Sequence, residues 1–361
     1  MCVIVLEFER MASSNKQFLA ELGIENPVIL APMGGGPCTP ELVAAVSNEG
    51  GLGTLAAAYS TAEQIERDVR SIRQLTRKPF GINLFSAGYE MTEQGDPSAM
   101  LQVLSEIHGK LGIPAPVLPA QISNPFPEQF QAVIEAHPRV FSFTFGTLDR
   151  VAASELRAIG TLVLGTATTV KEAEILQPDV DGIIAQGSEA GAHRGTFDGA
   201  FESAMVPTLE LVREICKAVE CPVIASGGIM DGRDIAAALD AGAVAVQMGT
   251  AFLACPESGT SQAYQQALLA AKSDTTVITR AYSGRPARGL RNRFIEMLEG
   301  KEHAILPYPL QNALTRAMRT AAAKQGEAGY LSLWAGQGVA RIRVMPAQEL
   351  VRTLVRELEE Q

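Results

Sequence analysis

The stretch "IIAQGSEAGAHRG", Ile183 to Gly195, sets a histidine and an arginine in a glycine-rich loop directly after an apolar run. The chain has only four histidines, and an imidazole titrating near neutrality can take up a proton or pair with an anion. His193 therefore reads as the candidate catalytic residue, whereas His108 and His137, followed by a glycine and a proline, read as surface residues. Arg194 reads as a surface cation, with anchoring of the loop or attraction of an anion as alternatives. Gln186 and Asn83 are amides in otherwise apolar runs, and a buried amide must brace a loop or hold a ligand. "ASGGI" carries Gly227 and Gly228, and "QMGTAF" carries Gln247, Met248, Gly249 and Thr250. Glycines ending two successive strands present backbone N–H groups suited to a phosphate. "APMGGGPCTP", with Met33 and Gly34 to Gly36, lets backbone approach a flat ligand closely. No Walker A or G-x-G-x-x-G fingerprint follows an early strand, so the phosphate is that of a mononucleotide.

These residues sit at the ends of a repeated element. Eight short apolar runs recur: "PVILAP", "GLGTLAA", "PFGINLF", "VFSFTFG", "TLVLGTA", "DGIIAQG", "CPVIASGG" and "AVAVQMGTAF". Continuous apolar character suits strands buried on both faces of a parallel sheet. Amphipathic stretches separate them, such as "TPELVAAVSNEG", capped by Thr39 and stopped at Gly50 or Gly51, and "DGRDIAAALDAG". The pattern predicts an α/β fold, a (β/α)8 TIM barrel with an added helical subdomain; the count favours it over a doubly wound open sheet. In such a barrel the chemistry lies in loops at the carboxyl ends of the strands. We divide the chain into a barrel over 16–259, a helical lid over 260–329 and a C-terminal segment over 330–361 that returns to the barrel. "IPAPVLPAQISNPFP" and its flanks predict an extra helix, an awkward strand and a proline-rich loop.

The 40 acidic residues outnumber the 30 basic ones. A net charge of −10 argues against nucleic acid and anionic membranes as partners, yet leaves room for a local basic pocket. The five cysteines are scattered without a C-x-x-C pair, which indicates neither zinc nor disulfides and suits a reducing cytoplasm. The opening "MCVIVLEFER" is too short and too charged for a signal or anchor. It reads as a short strand plugging one end of the fold, with Met11 as an alternative start.

Together, "APMGGGPCTPELVAAVSNEGGLGTLAAAYST", "FGINLF", "VFSFTFG", "IIAQGSEAGAHRG", "VIASGGI", "AVQMGTAFL", "YSGRPARGLRNRF", "LPYPLQNALT" and "YLSLWAGQG" resemble the nitronate monooxygenase family, especially its bacterial-type first class. The resemblance runs from Asn26 to Gly338. It implies FMN as cofactor and oxidation of small anionic nitronates, propionate 3-nitronate foremost, by O2 to a carbonyl compound and nitrite, through one-electron transfer to the flavin. It also implies that Met33, Gly34, Asn83, Gln186, Gly191, Gly227, Gly228, Gln247, Met248, Gly249 and Thr250 touch the flavin. His193 matches the family's active-site histidine, free to donate to a nitronate oxygen or to take a proton from a nitroalkane. Ala192 departs from the commoner "GGHRG". Tyr282 and Tyr308 either line the substrate pocket or pack the lid. No metal is implied, and a homo-oligomer is compatible with the pattern. An FMN-dependent NAD(P)H:quinone or enoyl-acyl-carrier-protein reductase, and a noncatalytic phosphate-binding barrel, are the alternatives.

Overall fold

The apolar runs fold as strands of a parallel sheet in a computed structural model that describes residues 15–89, 95–119 and 121–361. In chain order these are β1 (Val28–Leu30), β2 (Gly53–Ala56), β3 (Phe80–Phe85), β4 (Val140–Thr144), β5 (Leu162–Ala167) and β6 (Gly182–Gln186). After a two-residue strand β7 (Ala192–His193), which belongs elsewhere, β8 (Val223–Ser226) and β9 (Ala245–Met248) complete the set. Neighbours follow chain order from β2 to β9, β9 pairs with β1, and a parallel bridge from Ile29 to Leu52 closes the circle. The fold is the expected (β/α)8 barrel.

Strand alternation sorts the side chains into two layers. Val140, Leu164, Ile184 and Ile224 point into the barrel, where Phe18, Leu22 and Ile24 pack beneath them. The residues beside them, Phe141, Val163, Ile183 and Val223, face outward and bury the apolar faces of the surrounding helices. Helix starts follow side-chain capping. Thr39 accepts from the N–H of Leu42 at 3.1 Å ahead of helix Pro40–Asn48. Thr61 and Gln64 form a reciprocal box before helix Ala62–Leu75. Asp231 caps helix Gly232–Asp240, which the closing helix Ala347–Glu359 packs against.

Two readings need correction. The proline-rich stretch between helices Ser98–Leu111 and Phe126–Ala136 contains no strand among the described residues; its prolines supply no N–H for a ladder. The lid is not all helix. It holds β10 (Thr276–Thr279) and β11 (Ala287–Leu290), which pair antiparallel, and β11 also pairs with β7, setting Ala287 opposite His193. Lid residues, including those of helix Leu310–Gln325, share a second core with helix Ser98–Leu111.

His108 is not a surface residue either. It is buried, and its Nδ1 lies 2.6 Å from the carbonyl of Pro114, which ties the end of its helix to the following loop. His137 adopts φ 42° and ends helix Phe126–Ala136 in the left-handed conformation. The "MCVIVLEFER" strand and Met11 lie outside the described residues.

Phe18 is the aromatic plug of the lower barrel, 4% exposed. Phe18→Ala is expected to cost about 3–5 kcal/mol, the range for emptying an aromatic site in a core. The shift in urea midpoint at constant slope measures it.

Candidate active site

The carboxyl ends of the barrel strands open into a cavity of about 640 Å³, within the roughly 300–1,000 Å³ of small-molecule sites. It gathers Met33, Gly34, Asn83, Gln186, Gly191, His193, Gly227, Gly228, Gln247, Met248, Gly249 and Thr250 on one wall system. Tyr282 and Tyr308 do not line it. Tyr282 is buried in the lid, where its hydroxyl donates to Asn292 Oδ1 at 2.9 Å. Tyr308 sits behind the cavity beside Tyr89, with ring centroids 6.0 Å apart.

The histidine loop is held by polar groups at almost every step. Gln186 uses both ends of its amide there: Nε2 donates to His193 O at 3.0 Å, and Oε1 accepts from Gly195 N at 2.8 Å. Arg194, expected at the surface, is 2% exposed. Its guanidinium donates to the carbonyls of Gly187, Gln186 and Ala204, which makes it the loop's internal anchor. Burial and the neighbouring Arg288 pull its pKa down to about 10, which leaves it charged at neutral pH. The carboxylate of buried Glu172 grips the far end of the loop. It accepts from the N–H groups of Phe197 and Asp198 on one oxygen and from both donors of Thr168 on the other. Sequence reasoning passed over Glu172, because nothing in "TVKEAEIL" separates a buried acid from a solvated helical one.

Backbone constraints explain two small residues. A Cβ on Gly191 would come within 2.6 Å of Gly336 N, so only glycine lets the loop pass the "WAGQG" segment. Ala192 takes φ 61°, a left-handed conformation that L-residues adopt at a cost of about 1–2 kcal/mol. A glycine there would be unstrained, which gives the "GGHRG" pattern a physical reason.

His193 sits among Phe85, Phe145 and Trp334, with ring centroids 6.2, 5.9 and 5.6 Å away. Its Nε2 lies 2.8 Å from Ser283 Oγ of the lid. Burial foremost, then the charges of Arg285 and Arg319, push its pKa down to about 3. The imidazole is neutral at physiological pH. The thiols of Cys38, Cys216, Cys221 and Cys255 are pushed up by burial to about 11 or 12, so none is an activated nucleophile.

Among the described residues, the backbone N–H groups of Gly227, Gly228, Gly249 and Thr250 meet no protein acceptor. Four such donors at the ends of β8 and β9 suit the phosphate of a mononucleotide. Asn83 donates to Ser142 O and Oγ, which orients its amide at the cavity wall. The residues therefore fit FMN.

Comparison with known proteins decides the family. The family model described as nitronate monooxygenase matches residues 16–357. The chain belongs to the nitronate monooxygenase family. Its nitronate monooxygenase relative from Pseudomonas aeruginosa is 43% identical, over 95% of this chain and 99% of that one. A probable nitronate monooxygenase of Staphylococcus aureus is 40% identical, over 95% and 98%. Among solved structures, a nitroalkane oxidase from Streptomyces ansochromogenes superimposes with a TM-score of 0.88 at 39% identity, covering 95% of this chain and 98% of that one. FabK from Thermotoga maritima follows at 0.75 and 28%, covering 95% and 96%. This member of the nitronate monooxygenase family is thus an oxidoreductase, and no described helix is long and apolar enough to cross a membrane.

The lid supplies what the sequence reading of the family member missed. Arg316, Arg319 and Lys324, on helix Leu310–Gln325, line the cavity together with Tyr59 and Trp334. No described lining residue is a carboxylate. A signal was available: the helix "LQNALTRAMRTAAAKQ" carries three cations and no acid.

The depressed histidine has a stability consequence with a definite sign. Between about pH 6.5 and 3 the unfolded chain binds a proton at His193 that the native protein does not. Its contribution is thus fully present above pH 6.5 and lost as pH falls, with a slope of at most about 1.4 kcal/mol per pH unit. His193→Asn is expected to flatten the acid limb of stability by up to that slope. Urea midpoints of both proteins between pH 4 and 7 check it, and parallel curves would contradict a depressed pKa.

Proposed function

We propose that the protein binds FMN and oxidises alkyl nitronates with O2 to a carbonyl compound and nitrite, with propionate 3-nitronate the best candidate. The observation that carries this reading is the charge of the cavity. In a chain of net charge −10, the described lining residues include three cations and no carboxylate, beside a neutral imidazole. Such a lining favours a small anion, most of all at Arg319, the half-buried one of the three, since Arg316 and Lys324 are exposed to solvent that screens them.

Each part of the chain has a task in this reading. The N–H groups at the ends of β8 and β9 that meet no acceptor among the described residues would hold the phosphate, and Met33, Gly34, Asn83 and Gln186 would lie beside the flavin. A flavin held there would supply the one-electron redox chemistry between a nitronate and O2. Arg319 is the inner cation: its Nη2 donates to Asn312 O and Oδ1 at 2.8 and 2.9 Å, which fixes the guanidinium at the cavity. Arg316 and Lys324 lie further out on the same helix and attract the anion. Phe85, Trp334 and Tyr59 exclude water. His193 is neutral and can accept a proton, the role it takes if a nitroalkane enters in place of its nitronate.

An FMN-dependent reductase that draws hydride from a nicotinamide is the competing reading. Anaerobic mixing of the purified flavoprotein with propionate 3-nitronate separates the two. The flavin absorbance is expected to change with the nitronate, revert when air is admitted, and stay unchanged with NADH or NADPH. A flavin bleached by a nicotinamide and indifferent to the nitronate would establish the competitor. With a nitroalkane and O2, His193→Asn is expected to retain the flavin and to lower turnover by at most about 10²–10⁴-fold, the range for a general base whose pKa lies near the working pH, since burial holds this imidazole at about 3. Unchanged turnover would remove the histidine from the mechanism.

A further inference from the structure

The lid residue that touches His193 has no assigned task. Ser283 is 1% exposed and lies outside the cavity wall, on the turn between β10 and β11. Its Oγ has three polar neighbours: His193 Nε2 at 2.8 Å, Arg285 O at 3.2 Å and Arg285 N at 3.2 Å. A hydroxyl carries one proton and accepts at two lone pairs. The Arg285 N–H can only donate to Oγ, and the Arg285 carbonyl can only accept from it. One arrangement satisfies all three contacts: the hydroxyl donates to Arg285 O and accepts from Arg285 N–H and from a proton on His193 Nε2. If the hydroxyl instead donated to the imidazole, the Arg285 carbonyl would lose this donor.

From this geometry we infer that Ser283 is a positioning residue that fixes the tautomer of His193, holding the proton on Nε2 and leaving Nδ1 as the bare nitrogen. Nδ1 has no protein partner among the described residues, while the histidine itself lines the cavity. The imidazole then offers the substrate a lone pair and no hydrogen-bond donor. A nitroalkane can give its α-proton to Nδ1, with the C–H electron pair retained on the substrate as the nitronate. A nitronate's oxygens receive nothing from His193, so their donors are the lid cations. The turn that carries Ser283 has little room to drift. Gly284 takes φ 83°, and a Cβ there would lie 2.3 Å from Leu306 O. The pairing of Ala287 with His193 fixes the other side of the contact.

This inference rests on the active-site reading of His193, and its primary test does not depend on turnover. Nitrogen-15 NMR of the oxidised holoprotein, labelled at histidine, distinguishes the two tautomers by the shifts of the ring nitrogens. His193→Asn identifies the resonances. The expected result is a neutral His193 protonated on Nε2. A proton on Nδ1 would overturn the proposal without any variant being made. Ser283→Ala is expected to keep its flavin, to yield a mixture of tautomers, and to lower nitroalkane turnover on the order of ten- to a hundredfold, the scale on which outer partners of an imidazole act. Turnover of a preformed nitronate should change far less. An alanine variant whose tautomer is unchanged would also overturn the proposal, whatever its activity. Should the parent fail to oxidise nitronates while showing the Nε2 proton, the functional reading fails and the tautomer assignment stands.

Discussion

A half-buried loop beneath a lid can turn little of its backbone to water, so many of its N–H and carbonyl groups find partners inside the protein. The loop after β6 meets that demand with side chains in place of regular structure. Arg194 donates to three carbonyls, Glu172 accepts from two N–H groups, and Gln186 serves one of each. With those contacts in place, the only part of the segment left for regular pairing is the short β7, which joins β11. The position of His193, the seat of the lid and the depth of the cavity all follow from this clamp. Its charged members are costly to bury and costlier still to leave half-paired, so loss of one acts on the whole loop.

Charge is the second organising constraint. Acidic residues dominate the chain as a whole, yet the described cavity wall has only cations among its charged groups. Burial foremost, then the charges of Arg285 and Arg319, hold His193 neutral, and of these two cations Arg319 also lines the cavity. A cationic wall and a neutral imidazole therefore meet at Arg319, and no carboxylate is among the hydrogen-bond partners of the imidazole in the described residues.

Much of this was legible in the sequence, for reasons that differ by residue. The strands were legible because burial on both faces leaves unbroken apolar runs, and Thr39 and Asp231 because capping is local. The glycines ending β8 and β9 were legible because successive strands of a barrel place them together. What failed depended on distant partners. β7 and β11 are too short to show alternation, and their register is set by residues far apart in the chain. Arg194 and Glu172 look like solvated charges until the loop folds over them. In the sequence the role of Tyr282 stays open between pocket and lid, because an aromatic in a lid fits either. Arg319 could be read as a cation on a helix, but which side of that helix meets the cavity depends on the lid's orientation.

The pairing of β7 with β11 joins the histidine and its lid into a single sheet, and Ser283 adds a second tie across the same boundary. The lid is therefore not a separable module on a catalytic barrel. A lid exchanged for that of another barrel would remove the strand that pairs with His193 along with the cations that line the cavity. The place of His193 and the charge of the cavity wall are thus tied to one segment, whereas a side chain on helix Leu310–Gln325 can be replaced without touching the pairing.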